Sequence, residues 1–148
     1  MERDSEVGFT CGSFDLLHPG HVMMLRDCKR MCDHLIVGLQ VDPTTDRKDK
    51  NKPVQSVHQR WMLLRGCKYV DEIVIYHTED ELWKLLNLLE DEIDVRFVGE
   101  DWEDKDFTGK ELDIDVEYTR RKHTMSSHQL RLDVIREGKN LKTEEDRL

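Results

Sequence analysis

Gly12-Ser13-Phe14-Asp15-Leu16-Leu17-His18-Pro19-Gly20-His21 joins an apolar run, Val7 to Cys11, to a segment, Val22 to Cys32, whose apolar residues fall at helical spacing. The first reads as a buried strand and the second as a helix, with Pro19 in the first turn, where its fixed φ and missing N–H are tolerated best. A strand that feeds a helix through a turn of this kind directs free backbone N–H groups, and the positive end of the helix dipole, at whatever lies above it. His18 and His21, at i and i+3, share one face of that first turn. Such histidines serve equally as a cap and as phosphate donors, and spacing alone does not separate the two.

Working outward, strand-like runs recur at Val7 to Cys11, His34 to Val41, Glu72 to Tyr76, Val95 to Gly99 and Asp115 to Thr119, with helical patterns between them. Capping boxes announce three of the helices: Ser56 with Gln59, Thr78 with Glu81, and Ser126 with Gln129. Gly66 and Gly138 are placed to end the first and last of these. After Thr78, Leu82, Leu85, Leu86 and Leu89 form a buried stripe, with Glu79, Asp80, Glu90 and Asp91 outside it. In the first helix, Met24, Leu25, Cys28 and Cys32 continue the face that begins at His21, so core packing orients the histidine turn.

Strands alternating with helices over short connections predict an α/β fold. The expected form is a doubly wound, mostly parallel five-stranded sheet with helices on both faces and right-handed crossovers, a Rossmann-like arrangement. In such folds the ligand sits beyond the C-terminal ends of the strands, and the loop after the first strand floors its site.

With 148 residues, a single domain over 1–148 is expected, its core at about 7–137 and a polar, mobile tail at 139–148. No apolar run approaches the roughly 20 residues of a membrane span, and residues 1–6 lead into no signal-peptide core. Cys11, Cys28, Cys32 and Cys67 form no CxxC pair or zinc spacing, so reduced, packed thiols and a cytoplasmic, reducing location are expected, with no metal site of their own. A net charge of −9 argues against nucleic acid as a partner. Against that acidic background two basic clusters stand out, Arg47, Lys48, Lys50 and Lys52, then Arg120, Arg121 and Lys122, as local anchors for a small phosphorylated ligand.

The sequence lacks GxGxxG, GxxxxGK[ST] and a serine nucleophile elbow, which argues against typical dinucleotide binding, P-loop chemistry and elbow-type hydrolysis. His18-Pro19-Gly20-His21 is the signature of the HxGH nucleotidyltransferases, and the chain resembles the cytidylyltransferase family of that superfamily. The resemblance is strongest to the glycerol-3-phosphate cytidylyltransferases. Gly12 to His18 is similar to their GTFDLLH run, Tyr69-Val70-Asp71-Glu72 to RYVDE, Gly99-Glu100-Asp101-Trp102-Glu103 to GDDWE, and Arg121 to Ser127 to RTEGIST. These four ordered blocks cover about residues 7 to 137. Lys68 replaces an arginine of the pattern, and Lys122-His123-Thr124 replaces Thr-Glu-Gly.

What the resemblance implies is transfer of CMP from CTP to a phosphate monoester with release of pyrophosphate. It implies His18, His21, Lys48 and Arg121 as catalytic groups. Gly12, Ser13, Phe14 and Asp15 would shape the nucleotide floor, and Lys50 would reach the triphosphate. Asp101 and Trp102 would lie near cytosine and ribose, and Lys122, Met125, Ser126, Ser127 and His128 would receive the pyrophosphate. Lys48, Lys84, Arg60 and Lys68 would serve the acceptor. Lys48 and Lys50 would share a side if their segment is extended. Mg²⁺ would accompany the triphosphate, held by few protein ligands, and the resemblance also implies a homodimer with residues 68–72 near the contact. Within the same chemistry, ethanolamine phosphate, choline phosphate or a sugar phosphate could be the acceptor, and ATP the donor. A rival class is a catalytically idle nucleotide-binding module.

Overall fold

A computed structural model describes residues 5–144. Five strands form one all-parallel sheet: β1 (Val7–Gly12), β2 (His34–Gln40), β3 (Glu72–Tyr76), β4 (Val95–Gly99) and β5 (Asp115–Thr119). Their order is β3-β2-β1-β4-β5, so the chain leaves β1 toward one edge and returns beside it with β4. Between them lie α1 (Pro19–Arg30), α2 (Val57–Arg65) and α3 (Glu79–Leu88), and α4 (Ser127–Gly138) follows β5. Strand positions and the α/β class agree with the sequence reading. The parallel register is continuous, Val7 opposite His34 through Gly12 opposite Leu39.

The period of two in β2 sorts its side chains between two cores. Leu35, Val37 and Leu39 face α1 and α2, where they meet Leu25, Cys28, Leu64 and Phe97. Ile36 faces the other side and joins Phe9, Tyr76, Leu82, Leu86 and Ile93 beneath α3. Leu25, Leu35, Leu39 and Leu64 are fully buried, each contributing about 1.5–3 kcal/mol of transfer free energy. Gly38 permits tight packing at the centre of β2, since a Cβ there would stand 2.9 Å from Phe9 and 3.0 Å from Cys11.

The helix caps differ in part from the sequence reading. Ser56 and Gln59 form the full reciprocal box, but Thr78 and Ser126 cap from one side only. Glu81 turns its carboxylate to the His77 N–H instead, 2.6 Å away, and Gln129 reaches forward to Asp133 at 3.0 Å. Gly66 follows α2, and Gly138 is the last residue of α4. The four cysteines are free thiols, and burial pushes the Cys28 thiol up to about 12. Residues 145–148 of the expected tail lie outside the described residues. Among the described residues no helix is long and apolar enough to cross a membrane.

Candidate active site

The turn after β1 is built under backbone constraint. Phe14 and Leu16 hold φ values of 49° and 52°, a left-handed conformation that residues with a Cβ adopt only when neighbours impose it. Asp15, between them and 4 % exposed, supplies that imposition. Its carboxylate accepts from the Val54 N–H at 2.8 Å, the Gln55 N–H at 2.9 Å and the Arg131 guanidinium. Gln55 returns the link by accepting from the Leu16 N–H at 2.9 Å. Arg60, inside α2, donates to the carbonyls of Ser13, Gln40, Val41 and Gln55. Burial alone would raise the Asp15 pKa, but these N–H groups and Arg131 outweigh it and hold the carboxyl below its ordinary range.

The turn ends at His18, the N-cap of α1. Its Nδ1 accepts from the Gly20 N–H at 3.0 Å, and the Nδ1 of His21 accepts from the His18 N–H at 3.2 Å. The two histidines thus form a capping box with imidazoles in place of the usual hydroxyl and carboxamide. Capping and phosphate donation are therefore compatible. Because each Nδ1 receives an N–H, each neutral ring carries its proton on Nε2 and keeps a donor free for a ligand. Burial, reinforced by the charge of His18, lowers the His21 pKa to about 4. Burial, His123 and Arg121 lower that of His18. Phe14 packs against His21 at 5.6 Å between ring centroids, and the His18 and His21 rings lie 3.9 Å apart.

Two cavities meet at His21, and His18 lines the smaller of them. One, of about 760 Å³, lies over the C-terminal ends of the strands and is lined by Gly12, Ser13, Phe14, Asp15, Lys50 and Trp102 among others. The second, of about 360 Å³, is lined by His18, Asp101, Arg121, Lys122, Met125 and Ser126. Both include His21, Met24, Gly99, Thr119 and Ser127, so the start of α1 and the start of α4 form a common wall. Ser127 Oγ donates to the Asp15 carbonyl at 3.1 Å, and with Arg131 it ties α4 to the β1 turn. Arg121 donates from its guanidinium to the Met125 carbonyl and from its backbone to Glu100, which closes its loop on itself.

Several expected ligand residues stand elsewhere. Lys48 and Lys50 do not share an extended side, because a 3₁₀ turn at Pro43–Thr45 continues through an Arg47 N–H to Pro43 bond and a Lys50 N–H to Arg47 bond. Lys50 lines the larger cavity, whereas Lys48 is exposed and lines neither. Lys84 is 70 % exposed on the outside of α3 and pairs with Asp80 at 2.8 Å, since i and i+4 place them together. Lys68 lies over the Tyr69 ring at 5.2 Å, away from both cavities. Arg60 is buried with four of its five N–H donors on backbone carbonyls, and it lines neither cavity, so its place is under the turn. His128 is exposed outside both linings.

Other residues enter that spacing did not single out. His123, one of the departures from the family pattern, lines the smaller cavity and folds over Gly20, where a Cβ would meet His123 and His18 at 2.7 Å each. Gly20 is thus required by close approach. Arg131, Gln40 and Arg96 line the larger cavity, as does Arg47 of the first basic cluster. An arginine within the strand-like run at Val95 to Gly99 was the one visible signal for Arg96.

An all-parallel sheet with a histidine-capped helix start at the point where strand order reverses defines a Rossmann-like nucleotidyltransferase fold. The chain belongs to the cytidylyltransferase-like family, whose model matches residues 9–145. It is similar to a probable ethanolamine-phosphate cytidylyltransferase of Encephalitozoon cuniculi, 46 % identical over 50 % of this chain and 23 % of that protein. It is similar also to the bifunctional protein HldE of Campylobacter jejuni subsp. doylei, 37 % identical over 78 % of this chain and 25 % of that protein. The chain therefore spans about a quarter of the length of these curated relatives. Among solved structures, the lipopolysaccharide core biosynthesis protein of Thermoplasma volcanium matches with a TM-score of 0.62 and 26 % identity, over 82 % of this chain and 99 % of that one.

Proposed function

We propose that this chain transfers CMP from CTP to glycerol 3-phosphate, giving CDP-glycerol and pyrophosphate. The observation that carries nucleotidyl transfer is the meeting of two cavities at Nδ1-anchored His21, with Nδ1-anchored His18 beside it in the smaller one. Glycerol 3-phosphate as acceptor rests on the four sequence blocks. An oxygen of the acceptor phosphate attacks the α-phosphorus in line, the new O–P bond forms as the bond to the β-phosphate oxygen breaks, and pyrophosphate leaves. Such a reaction needs positioning and charge stabilisation, and no nucleophilic side chain. The two Nε2–H groups donate to the phosphates in the positive field of the α1 N-terminus, while Lys50, Arg121 and Lys122 supply charge around the rim.

Among the described residues no group of three or more His, Cys, Asp or Glu side chains is placed to hold a metal ion. We infer that Mg²⁺ would enter with the triphosphate, where it would supply charge neutralisation, with few ligands from this chain. We infer a homodimer whose contact includes residues 68–72 at the β3 edge, where Ile75, Met62 and Leu63 are exposed. Sedimentation at micromolar concentration checks it, and a strictly monomeric species refutes it.

The similarity to an ethanolamine-phosphate cytidylyltransferase supports a second reading, with ethanolamine phosphate as acceptor. Pyrophosphate release measured with CTP and with ATP, against glycerol 3-phosphate, ethanolamine phosphate, choline phosphate and a sugar phosphate, decides among them. Release with CTP and glycerol 3-phosphate above the others is expected. CTP binding without turnover on any acceptor would instead mark an idle module.

A further inference from the structure

On the α3 side of the larger cavity, three buried side-chain N–H groups have no hydrogen-bond partner among the described residues: Gln40 Nε2, Arg47 Nε and Arg96 Nε. Gln40 is 2 % exposed and Arg96 5 % exposed. Leaving such a donor without an acceptor costs about 1–3 kcal/mol, so three along one cavity wall point to a ligand that supplies oxygen acceptors.

The charges of the same wall exclude a cationic ligand. Glu79, half-buried there, has both its oxygens engaged, by Arg47 at 3.4 Å and by Thr108 Oγ1 at 2.8 Å, and Asp106 at the cavity's outer edge faces Lys110 at 3.8 Å. Two of its aromatic faces are taken too. Arg96 lies 4.9 Å over Phe107, which Lys110 also covers at 5.6 Å, and Lys105 covers Trp102 at 5.8 Å. An ammonium head group entering here would find Glu79 and the Phe107 and Trp102 faces already engaged by cations or hydrogen bonds, and would meet two guanidinium charges.

Resting on the nucleotidyl-transfer reading above, we propose that Gln40, Arg47 and Arg96 form the specificity wall for the acceptor's carbon-bearing part. They select hydroxyl- or anion-bearing phosphate monoesters and reject amino-alcohol phosphates. Hydroxyl oxygens accept from Gln40 Nε2, Arg47 Nε and Arg96 Nε. Substrate class is therefore set by a strand residue, Arg96, and by the loop residue Arg47.

The test is steady-state kinetics of Arg96→Met, Arg96→Lys and Arg47→Gln with CTP and either glycerol 3-phosphate or ethanolamine phosphate, with circular dichroism to confirm folding. Wild type should favour glycerol 3-phosphate by at least tenfold in kcat/KM. Arg96→Met should raise its KM at least tenfold, leave the KM for CTP within twofold and narrow the preference, with Arg96→Lys recovering part of the loss. Arg47, less buried than Arg96, keeps the test open if Arg96→Met fails to fold. Preference of wild type for ethanolamine phosphate, or equal losses on both acceptors, would overturn the proposal. Absence of turnover with every donor and acceptor would instead refute nucleotidyl transfer. Calorimetry then judges the wall alone: glycerol 3-phosphate should bind wild type more tightly than Arg47→Gln, and failure to bind wild type overturns the inference.

Discussion

A histidine whose Nδ1 is already occupied has only one way to meet a phosphate. His18 and His21 both lie in that position, and their shared geometry makes them donors in the neutral state. Replacing either with alanine is expected to lower kcat about 10²–10³-fold, the usual effect of removing one preorganised donor, with the fold retained by circular dichroism. The lowered pKa of His21 has a separate consequence for stability. Between its ordinary value near 6.5 and its folded value of about 4, the unfolded chain binds a proton that the native protein does not. Native stability is therefore complete above about pH 6.5 and falls as the pH is lowered toward 4. Thermal unfolding of the free protein should show this slope, and His21→Gln should flatten it; an unchanged slope would contradict a buried neutral imidazole. Sequence spacing identified both histidines and their helix start, but not their tautomer, which depends on where two backbone N–H groups point.

At the scale of elements, Asp15 joins three segments distant in sequence: the β1 turn, the loop at 53–55 and α4. Helix α4 has no buried residue, so its attachment depends on polar contacts more than on an apolar face. Asp15→Ala removes one partner from a buried ion pair and three hydrogen bonds, and should destabilise the protein by about 3–5 kcal/mol in denaturant unfolding. Arg131→Met should act on α4 first, raising hydrogen exchange there while β1 and β2 stay protected; uniform loss of protection would refute the tether. The strands were legible because a fully buried parallel strand must be an apolar run. Asp15 as a junction was not legible, since its partners lie about 40 and 116 residues away and leave no periodic mark.

For the molecule as a whole, two cavities share one wall at the starts of α1 and α4. CTP saturating at 100 times its Kd should stabilise the native state by about 2.7 kcal/mol, seen as a rise in Tm that ATP does not match. No shift with either nucleotide would refute nucleotide binding. The sequence by itself determined the class of fold, its five strands, the histidine turn at the end of the first and the place of Ser126 at a helix start. Each is a local property, carried by apolar periodicity or cap chemistry within about ten residues. Only the tertiary structure decided which cations face the cleft. It drew Arg47, Arg96 and Arg131 inward and left Lys48, Lys68 and Lys84 outside, because a side chain's direction depends on turns and crossovers that bring distant strands together.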